Sequence, residues 1–308
     1  MIDIEDMRCF VAVVDSGGFS RAAARLGISK SMVSRRISAI EDDLQTRLLS
    51  RTTRGISPTD AGLEFMSRSE RIIAEFDEAR AAVALHSGEV IGRLRVSLPL
   101  SFGVRHIAPI LAELAQQHPH LEIDASFTDR RVDLIGERYD AAIRIGALHD
   151  SSLIARRLAP VRSTIVASPA YLHRKGRPRT PADLTDHEFI MSSGRTNEIR
   201  LRAGKRWLSI RPKARLLSDN GEVLVRWATE GLGIAVLPSF LVSEDIEAGR
   251  LEPLLADYMS EEFGIFVVRP PGPNVPGKVR VLTDRLVERL GGDPIWDKCL
   301  MAARERRA

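Results

Sequence analysis

The stretch from Phe19 to Leu44, FSRAAARLGISKSMVSRRISAIEDDL, decides the fold of the first part of the chain. Its punctuation marks two short helices. Ser20 is a good N-cap for Arg21 to Leu26, Gly27 supplies a left-handed C-terminal residue, and Ser29 can cap a second helix two residues later. That is helix-turn-helix spacing. At the α-helical advance per residue, Val33, Ile37, Ile40 and Leu44 fall at about 0°, 40°, 340° and 20°, whereas Ser31, Ser34, Arg35 and Ser38 fall at about 160°, 100°, 200° and 140°. One face is core. The other carries small hydroxylated side chains and one arginine, where an ordinary exposed helix carries long Glu and Lys. Serines allow close approach to a groove, and arginine can take guanine bidentately. An ordinary capped helical hairpin has the same punctuation, and on this helix alone the two readings stand level.

The residues that follow favour nucleic acid. Arg47, Arg51 and Arg54 lie in and around Leu49 to Thr59, where Arg54-Gly55 separates short alternating runs that read as a small hairpin. A hairpin wing beside a recognition helix can reach adjacent phosphates or the minor groove. Between Lys30 and Arg54 there are six basic residues (Lys30, Arg35, Arg36, Arg47, Arg51, Arg54) and three acidic ones (Glu41, Asp42, Asp43). That excess is close to the +4 of the whole 308-residue chain, so the basic patch is here and the expected partner is double-stranded DNA.

Upstream, Asp3, Glu5 and Asp6 precede the first apolar run, and no window approaches the roughly 18 apolar residues of a membrane span. A cytoplasmic protein with no membrane partner is expected. The composition, 44% hydrophobic and 28% charged, excludes disordered and fibrous classes, and 308 residues imply two or three domains. The two cysteines, Cys9 and Cys299, form no CxxC and no cluster with histidine, so neither a disulfide framework nor a metal site is expected, and no cofactor.

Downstream, Thr59 to His86 contains no proline and a single early glycine, Gly62, which predicts a helix of about 27 residues and 40 Å. Leu63, Met66, Ile72, Phe76, Ala79 and Val83 form a near-heptad stripe broken by Ser69. Such a stripe can pack on its own domain or on a second copy; in the latter case Ile72, Phe76 and Val83 are the dimerisation residues, and a dimer sets two recognition helices at a fixed spacing. Gly88 and Gly92 mark a hinge.

After Gly92, strands alternate with helices: Arg95 to Leu98, Leu121 to Phe127 and Ala141 to Ile145 as strands, Phe102 to Gln117 and Val132 to Arg138 as helices. This βαβ order predicts a mostly parallel sheet covered on both faces. Ser163 to Ala167, Phe189 to Ser192 and Ile234 to Leu237 predict a second lobe, and the strand Gly264 to Arg269 with the helix Lys278 to Leu290 can return to the first. The expected organisation is a winged helix-turn-helix at 1–60, a linker helix at 61–90, and a two-lobed α/β domain at 91–308, with lobe I at 91–162 and 268–308 and lobe II at 163–267. Ligands of open α/β sheets sit beyond the strand carboxyl ends. Ser101, Phe102, Thr128, Gly146 and Asn220 stand there and outline a cleft; each taken singly reads equally as a cap or turn. A small organic anion, a carboxylate first, is expected against the start of the helix after Ser101, with Thr128 contributing from the next strand end. There is no GxSxG, HExxH, P-loop or strand-following GxGxxG, so no enzyme is expected.

These residues resemble the LysR-type transcriptional regulators. Phe10 to Gly62 is similar to that family's winged helix-turn-helix signature almost position by position, and RVSLPLSFG, RRVDLIGERYDAAIRIGALHDSSLIARRL, SPAYL, PADL and GLGIAVLPSFL resemble its subgroup that includes CrgA and DmlR. The resemblance implies Lys30, Ser31, Ser34, Arg35 and Arg54 at the DNA, to which the wheel adds Ser38 and the wing Arg51, together with a periplasmic-binding-protein-like effector domain and a homodimer or a tetramer of two dimers. Lys30 replaces the glutamine common at its position, and Gln45 stands where glycine is usual. Peroxide-sensing members use a cysteine pair in the effector domain, a placement that Cys9 and Cys299 do not match.

Overall fold

The computed structural model describes residues 1–52, 55–86, 89–147, 151–193, 198–204, 206–260, 263–272 and 274–298. It divides into two compact units, Met1–Val90 and Ile91–Ala308.

In the first unit, α1 (Ile4–Ser16), α2 (Phe19–Leu26) and α3 (Lys30–Asp43) close around Phe10, Val13, Val33, Ile37, Ile40 and Leu48, all buried. Asp3 and Asp6 form a capping box at the head of α1. Gly27 takes φ +66°, the left-handed turn an L side chain resists, and the Ser29 hydroxyl accepts from the Met32 N–H at 3.1 Å. Ser20 is not a cap: α2 starts at Phe19 with Gly18 as its N-cap and no side-chain bond. Leu44 also departs from the helical wheel. Gln45 adopts φ +50°, so α3 ends before it and Leu44 is left exposed.

Strands β1 (Leu49–Thr52) and β2 (Gly55–Pro58) form the hairpin wing, pairing Arg51 with Ile56. Helix α4 (Asp60–His86) follows; the Thr59 hydroxyl accepts from the Gly62 N–H at 3.0 Å. A Cβ on Gly62 would stand 2.0 Å from the Leu48 carbonyl oxygen, so only glycine lets α4 approach the wing base. The first turns of α4 belong to the head core through Phe65 and Met66, with Phe10 and Phe65 edge to face at 5.1 Å. Leu63, on the outer side of those turns, and Ile72, Phe76 and Val83 further along are exposed.

In the second unit, β3 (Gly92–Leu98) leads into α5 (Leu100–Phe102), a π turn at Gly103–Ile107 and α6 (Ala108–Gln117). Then come β4 (Leu121–Phe127), β5 (Ala141–Gly146), β6 (Ile154–Val161), β7 (Ser163–Ala167), α7 (Pro169–Lys175), β8 (Phe189–Ser192), β9 (Ile199–Ala203), β10 (Arg206–Ile210), β11 (Ala214–Ser218), α8 (Gly221–Thr229), β12 (Ile234–Pro238), α9 (Ser239–Glu247), β13 (Glu252–Leu254), β14 (Met259–Ser260), β15 (Phe263–Arg269) and α10 (Gly277–Leu290). One five-stranded sheet has the order β4-β3-β5-β15-β6, the other β11-β8-β12-β7-β13. Both are mixed rather than mostly parallel: β15 runs antiparallel to β5 and β6, and β7 antiparallel to β12 and β13. Since β15 pairs along its length with lobe I strands, a lobe boundary at 267/268 would cut it in two, and the second lobe ends before Phe263.

The segment Val132 to Arg138 is a run of turns, not a helix. Its own side chains take the backbone donors: Asp133 Oδ1 accepts from the Ile135 N–H and Glu137 Oε1 from the Asp133 N–H, both at 3.1 Å, and Arg138 turns to φ +58°. No helix is long and apolar enough to cross a membrane among the described residues.

Candidate functional site

The outward face of α3 carries Lys30, Ser31, Arg35 and Ser38, all exposed, with Ser34 half-buried beside them. Ser31 shares a hydroxyl bond with Ser29 at 2.9 Å. Neither Lys30 nor Arg35 meets a carboxylate among the described residues, and no acidic residue lies in the first turn of α3. The positive helix end therefore adds to Lys30 where an anion would approach. Arg51 sits on β1, but its side chain and the whole of Arg54 lie outside the described residues.

Two members of the basic patch turn out to hold the fold. Arg36 reaches back to Asp6 at 2.6 Å and Asp3 at 3.5 Å, and the bond to Asp6 raises its pKa. Arg47 pairs with Glu41 at 2.8 Å. Glu41 itself is buried: its Oε1 accepts from the Leu48 and Leu49 N–H groups at 2.8 and 3.0 Å. Burial alone would raise this carboxyl, but the Leu49 N–H, the Arg47 guanidinium and the Leu48 N–H outweigh it and hold the pKa below the usual carboxylate range. Sequence reasoning counted Glu41 only as an acid against the basic patch. The available signal was its position at about 80° on the wheel, at the edge of the core face. The Cys9 thiol is buried and its pKa pushed up by that burial, which makes it inert.

In the second unit residues of the two lobes line an open cavity of about 810 Å³. Ser101, Phe102, Thr128 and Gly146 all line it; Asn220 does not, although Asp219 and Gly221 do. Asn220 is the N-cap of α8, its Oδ1 accepting from the Glu222 and Val223 N–H groups at 2.9 and 3.2 Å. Thr128 accepts from the Arg130 N–H at 3.2 Å. Ser101 is not the N-cap of its helix, which is Pro99; it lies inside the first turn, 8% exposed, and its hydroxyl has no hydrogen-bond partner among the described residues. It faces the other lobe, for a Cβ on Gly221 would stand 3.4 Å from its oxygen. The helix start is not open either: the Leu100 N–H donates to Asp129 Oδ1 at 3.0 Å.

Behind Ser101 the π turn presents Arg105 and His106, neither of which sequence reasoning singled out. Arg105 bridges the lobes bidentately, donating to Glu222 Oε1 and Oε2 at 3.0 and 2.6 Å. His106 packs among Phe102, Phe240 and Trp296 with ring centroids 4.7 to 6.1 Å away. Burial pushes its pKa down, opposed by a backbone hydrogen bond to Phe240. Groups of acids, cysteines and histidines able to hold a metal are absent among the described residues.

A head whose third helix presents Lys30 and Arg35, and a two-lobed α/β unit with a cavity between its lobes, can be set beside known proteins. Residues 4–63 match the bacterial regulatory helix-turn-helix proteins of the lysR family, and residues 87–291 match the LysR substrate binding domain. The chain belongs to the LysR family of transcriptional regulators. This LysR-type regulator is 34% identical over 293 residues to the HTH-type transcriptional regulator CrgA of Neisseria meningitidis serogroup C, covering 94% of this chain and 97% of that one. It is 36% identical over 275 residues to an uncharacterized HTH-type transcriptional regulator of Haemophilus influenzae, covering 88% and 94%. The structure of CrgA from Neisseria meningitidis superposes with a TM-score of 0.61 at 33% identity, covering 94% of this chain and 99% of that one. As a LysR-type regulator the protein binds DNA sequence-specifically and is modulated by a small-molecule effector taken up between two α/β lobes. Both relatives are named transcriptional regulators, and both matched family models are those of LysR-type regulators.

Proposed function

We propose that this regulator reads its operator with Lys30, Ser31, Ser34, Arg35 and Ser38 on α3 and with Arg51 and Arg54 on the wing, and that the molecule in its cleft is a small organic carboxylate. The observation that carries the first part is the division of labour among the arginines. Arg36 and Arg47 are neutralised by Asp6 and Glu41, while Arg35 and Lys30 are left without an acid among the described residues on the one face that carries small hydroxyl groups. The observation behind the second is a buried Ser101 hydroxyl with no partner among the described residues, in a cavity where, among those residues, the arginines Arg130, Arg131, Arg144 and Arg200 outnumber the acids Asp129, Glu198 and Asp219. The regulator works in the cytoplasm as a homodimer or homotetramer joined through Ile72, Phe76 and Val83, the exposed apolar residues of α4.

Sequencing the DNA captured by the purified full-length protein supplies the operator. On that operator Arg35→Ala is expected to weaken binding by about 1 to 3 kcal/mol, a factor of roughly 5 to 150, with the fold intact. A folded Arg35→Ala protein that binds the operator as tightly as the parent overturns the assignment.

A further inference from the structure

An anion in the cleft needs a cation to hold it, and the helix start at Ser101 is not that cation. Pro99 has no N–H, the Leu100 N–H is taken by Asp129 at 3.0 Å, and a second carboxylate there would meet the charge of the first. Among the arginines that line the cavity, Arg130 is held bidentately by Glu137 at 2.9 and 2.6 Å, and Arg200 stacks over Trp207 at 5.1 Å. Arg131 and Arg144 are different: neither has a carboxylate partner among the described residues. Arg144 is half-buried on β5, and the one bond described for its five donors runs from Nη2 to the Val132 carbonyl at 2.9 Å. Burial depresses its pKa and the like charge of Arg131 depresses it further.

Two like charges beside a cavity, with no acid among the described residues to balance them, are unfavourable until an anion arrives. The acids around the cavity do not supply it: Asp129 is tied to Leu100, Glu198 bonds Ser209 and lies 3.9 Å from Arg211, and Asp219 stands in the other lobe before α8. The sheet register brings the pieces together. Parallel β3 and β5 set Ser97 beside Ala142, which places Arg144 level with Pro99, two residues before Ser101. We propose that Arg144, with Arg131 beside it and the Ser101 hydroxyl as a further donor, holds the carboxylate of the effector, whose apolar body lies against Phe102, Phe240, Leu224 and Phe266. The ligand class is a monocarboxylate, or another planar oxyanion that a guanidinium fork can take bidentately. This assignment rests on the carboxylate reading above and names its partners.

The test uses the full-length protein at constant ionic strength, with thermal shift and calorimetric titration. The probes are butyrate, benzoate and cyclohexanecarboxylate, each against its primary amide, together with sulfate and phosphate, up to about 10 mM, which reports any Kd near 1 mM or tighter. The parent is expected to respond to carboxylates and not to the amides. Arg144→Gln should bind carboxylates at least tenfold more weakly, falling to the level of the amides, and the exposed Arg131→Gln should lose a smaller factor. Without ligand, Arg144→Gln should melt no lower than the parent, because one of two facing like charges has gone. If the amides act on the parent as strongly as the carboxylates, the carboxylate reading itself fails. If the parent prefers carboxylates and Arg144→Gln keeps that preference, the reading stands and the Arg144 assignment falls; equal destabilisation by Arg144→Gln and Asp219→Asn would then mark an ion pair across the cleft. No response of the parent to any probe overturns both.

Discussion

Replacing Glu41 by alanine should unlock the wing from the recognition helix. Glu41 Oε1 takes the Leu48 and Leu49 N–H groups at 2.8 and 3.0 Å, and Oε2 takes Arg47 at 2.8 Å. Hydrogen bonds to a charged partner contribute about 1.5 to 3 kcal/mol each, and the Leu48 amide, buried with its side chain, has no water to turn to. The Leu49 amide is only part-buried and takes the low end of that range, and Arg47, 83% exposed, adds no more than a screened surface pair. Removing the carboxylate also relieves the cost of burying it, which offsets part of these bonds, and the net loss is about 2 to 4 kcal/mol for Glu41→Ala. In a unit the size of Met1–Val90 each kcal/mol lowers the melting point by about 4 to 8 °C. A two-unit chain does not melt in one step, so the readout is amide exchange at Leu48 and Leu49, which should accelerate roughly 30- to 1,000-fold. The pH sign follows from the depressed carboxyl. Its contribution is complete above the ordinary value of about 4.5 and disappears as pH falls through the lower, folded value, so parent and Glu41→Ala should converge in acid. Exchange in Glu41→Ala that matches the parent at pH 7, or a difference that persists undiminished in strong acid, would refute the reasoning.

Charging the exposed stripe of α4 with Ile72→Glu and Phe76→Glu should lower the particle mass in light scattering without melting the head, since both side chains are more than two-fifths exposed in the single chain; an unchanged mass places the subunit contact elsewhere. Ser101→Ala should leave the free protein as stable or make it up to about 1 kcal/mol more stable, because it removes a buried hydroxyl with no partner among the described residues and no cap; a drop in melting temperature would show a bond that the hydroxyl makes. His106 sits in its aromatic cluster with a pKa pushed below 6.5, so it favours the fold above that value and the contribution fades as pH falls through the folded pKa. The effector unit of the parent should therefore lose more stability between pH 7.5 and 5.5 than His106→Phe, and equal losses would remove the imidazole from the account.

What the chain displayed in its sequence was what is local. The buried face of α3, the left-handed Gly27 and the Ser29 cap all follow from contacts within a few residues; the helical wheel found the first, and the residue types at the turn found the other two. Leu44 escaped because Gln45, a residue that usually avoids φ > 0, ends the helix there. Val132 to Arg138 carried helical spacing, but Asp133 and Glu137 spent their carboxylates on nearby N–H groups, a competition that apolar periodicity does not register. Non-local pairing was invisible. Arg36 and Arg47 counted toward the basic patch until Asp6 and Glu41 met them in space, and Asn220 counted as a ligand residue although α8 needed it as a cap. The cleft itself was outlined by strand ends, whereas Arg144 enters it only through the register of β3 with β5.

The place of β15 in its sheet has a consequence for how the protein is made. Strand β6 is an edge strand whose one neighbour is β15, and Phe263 leaves the ribosome about a hundred residues after Val161. At roughly 5 to 20 residues per second, Ile154–Val161 waits on the order of 5 to 20 s with its backbone donors unmatched while the entire second lobe is synthesised and can fold. Topologically, lobe II is an insertion within lobe I, and the first lobe is the last to be completed. A chain terminated early, anywhere before Phe263, is therefore not a regulator lacking its tail. It is a sheet missing its fourth strand and, with it, its fifth, and it exposes to chaperones and proteases the kind of bare strand edge that seeds aggregation.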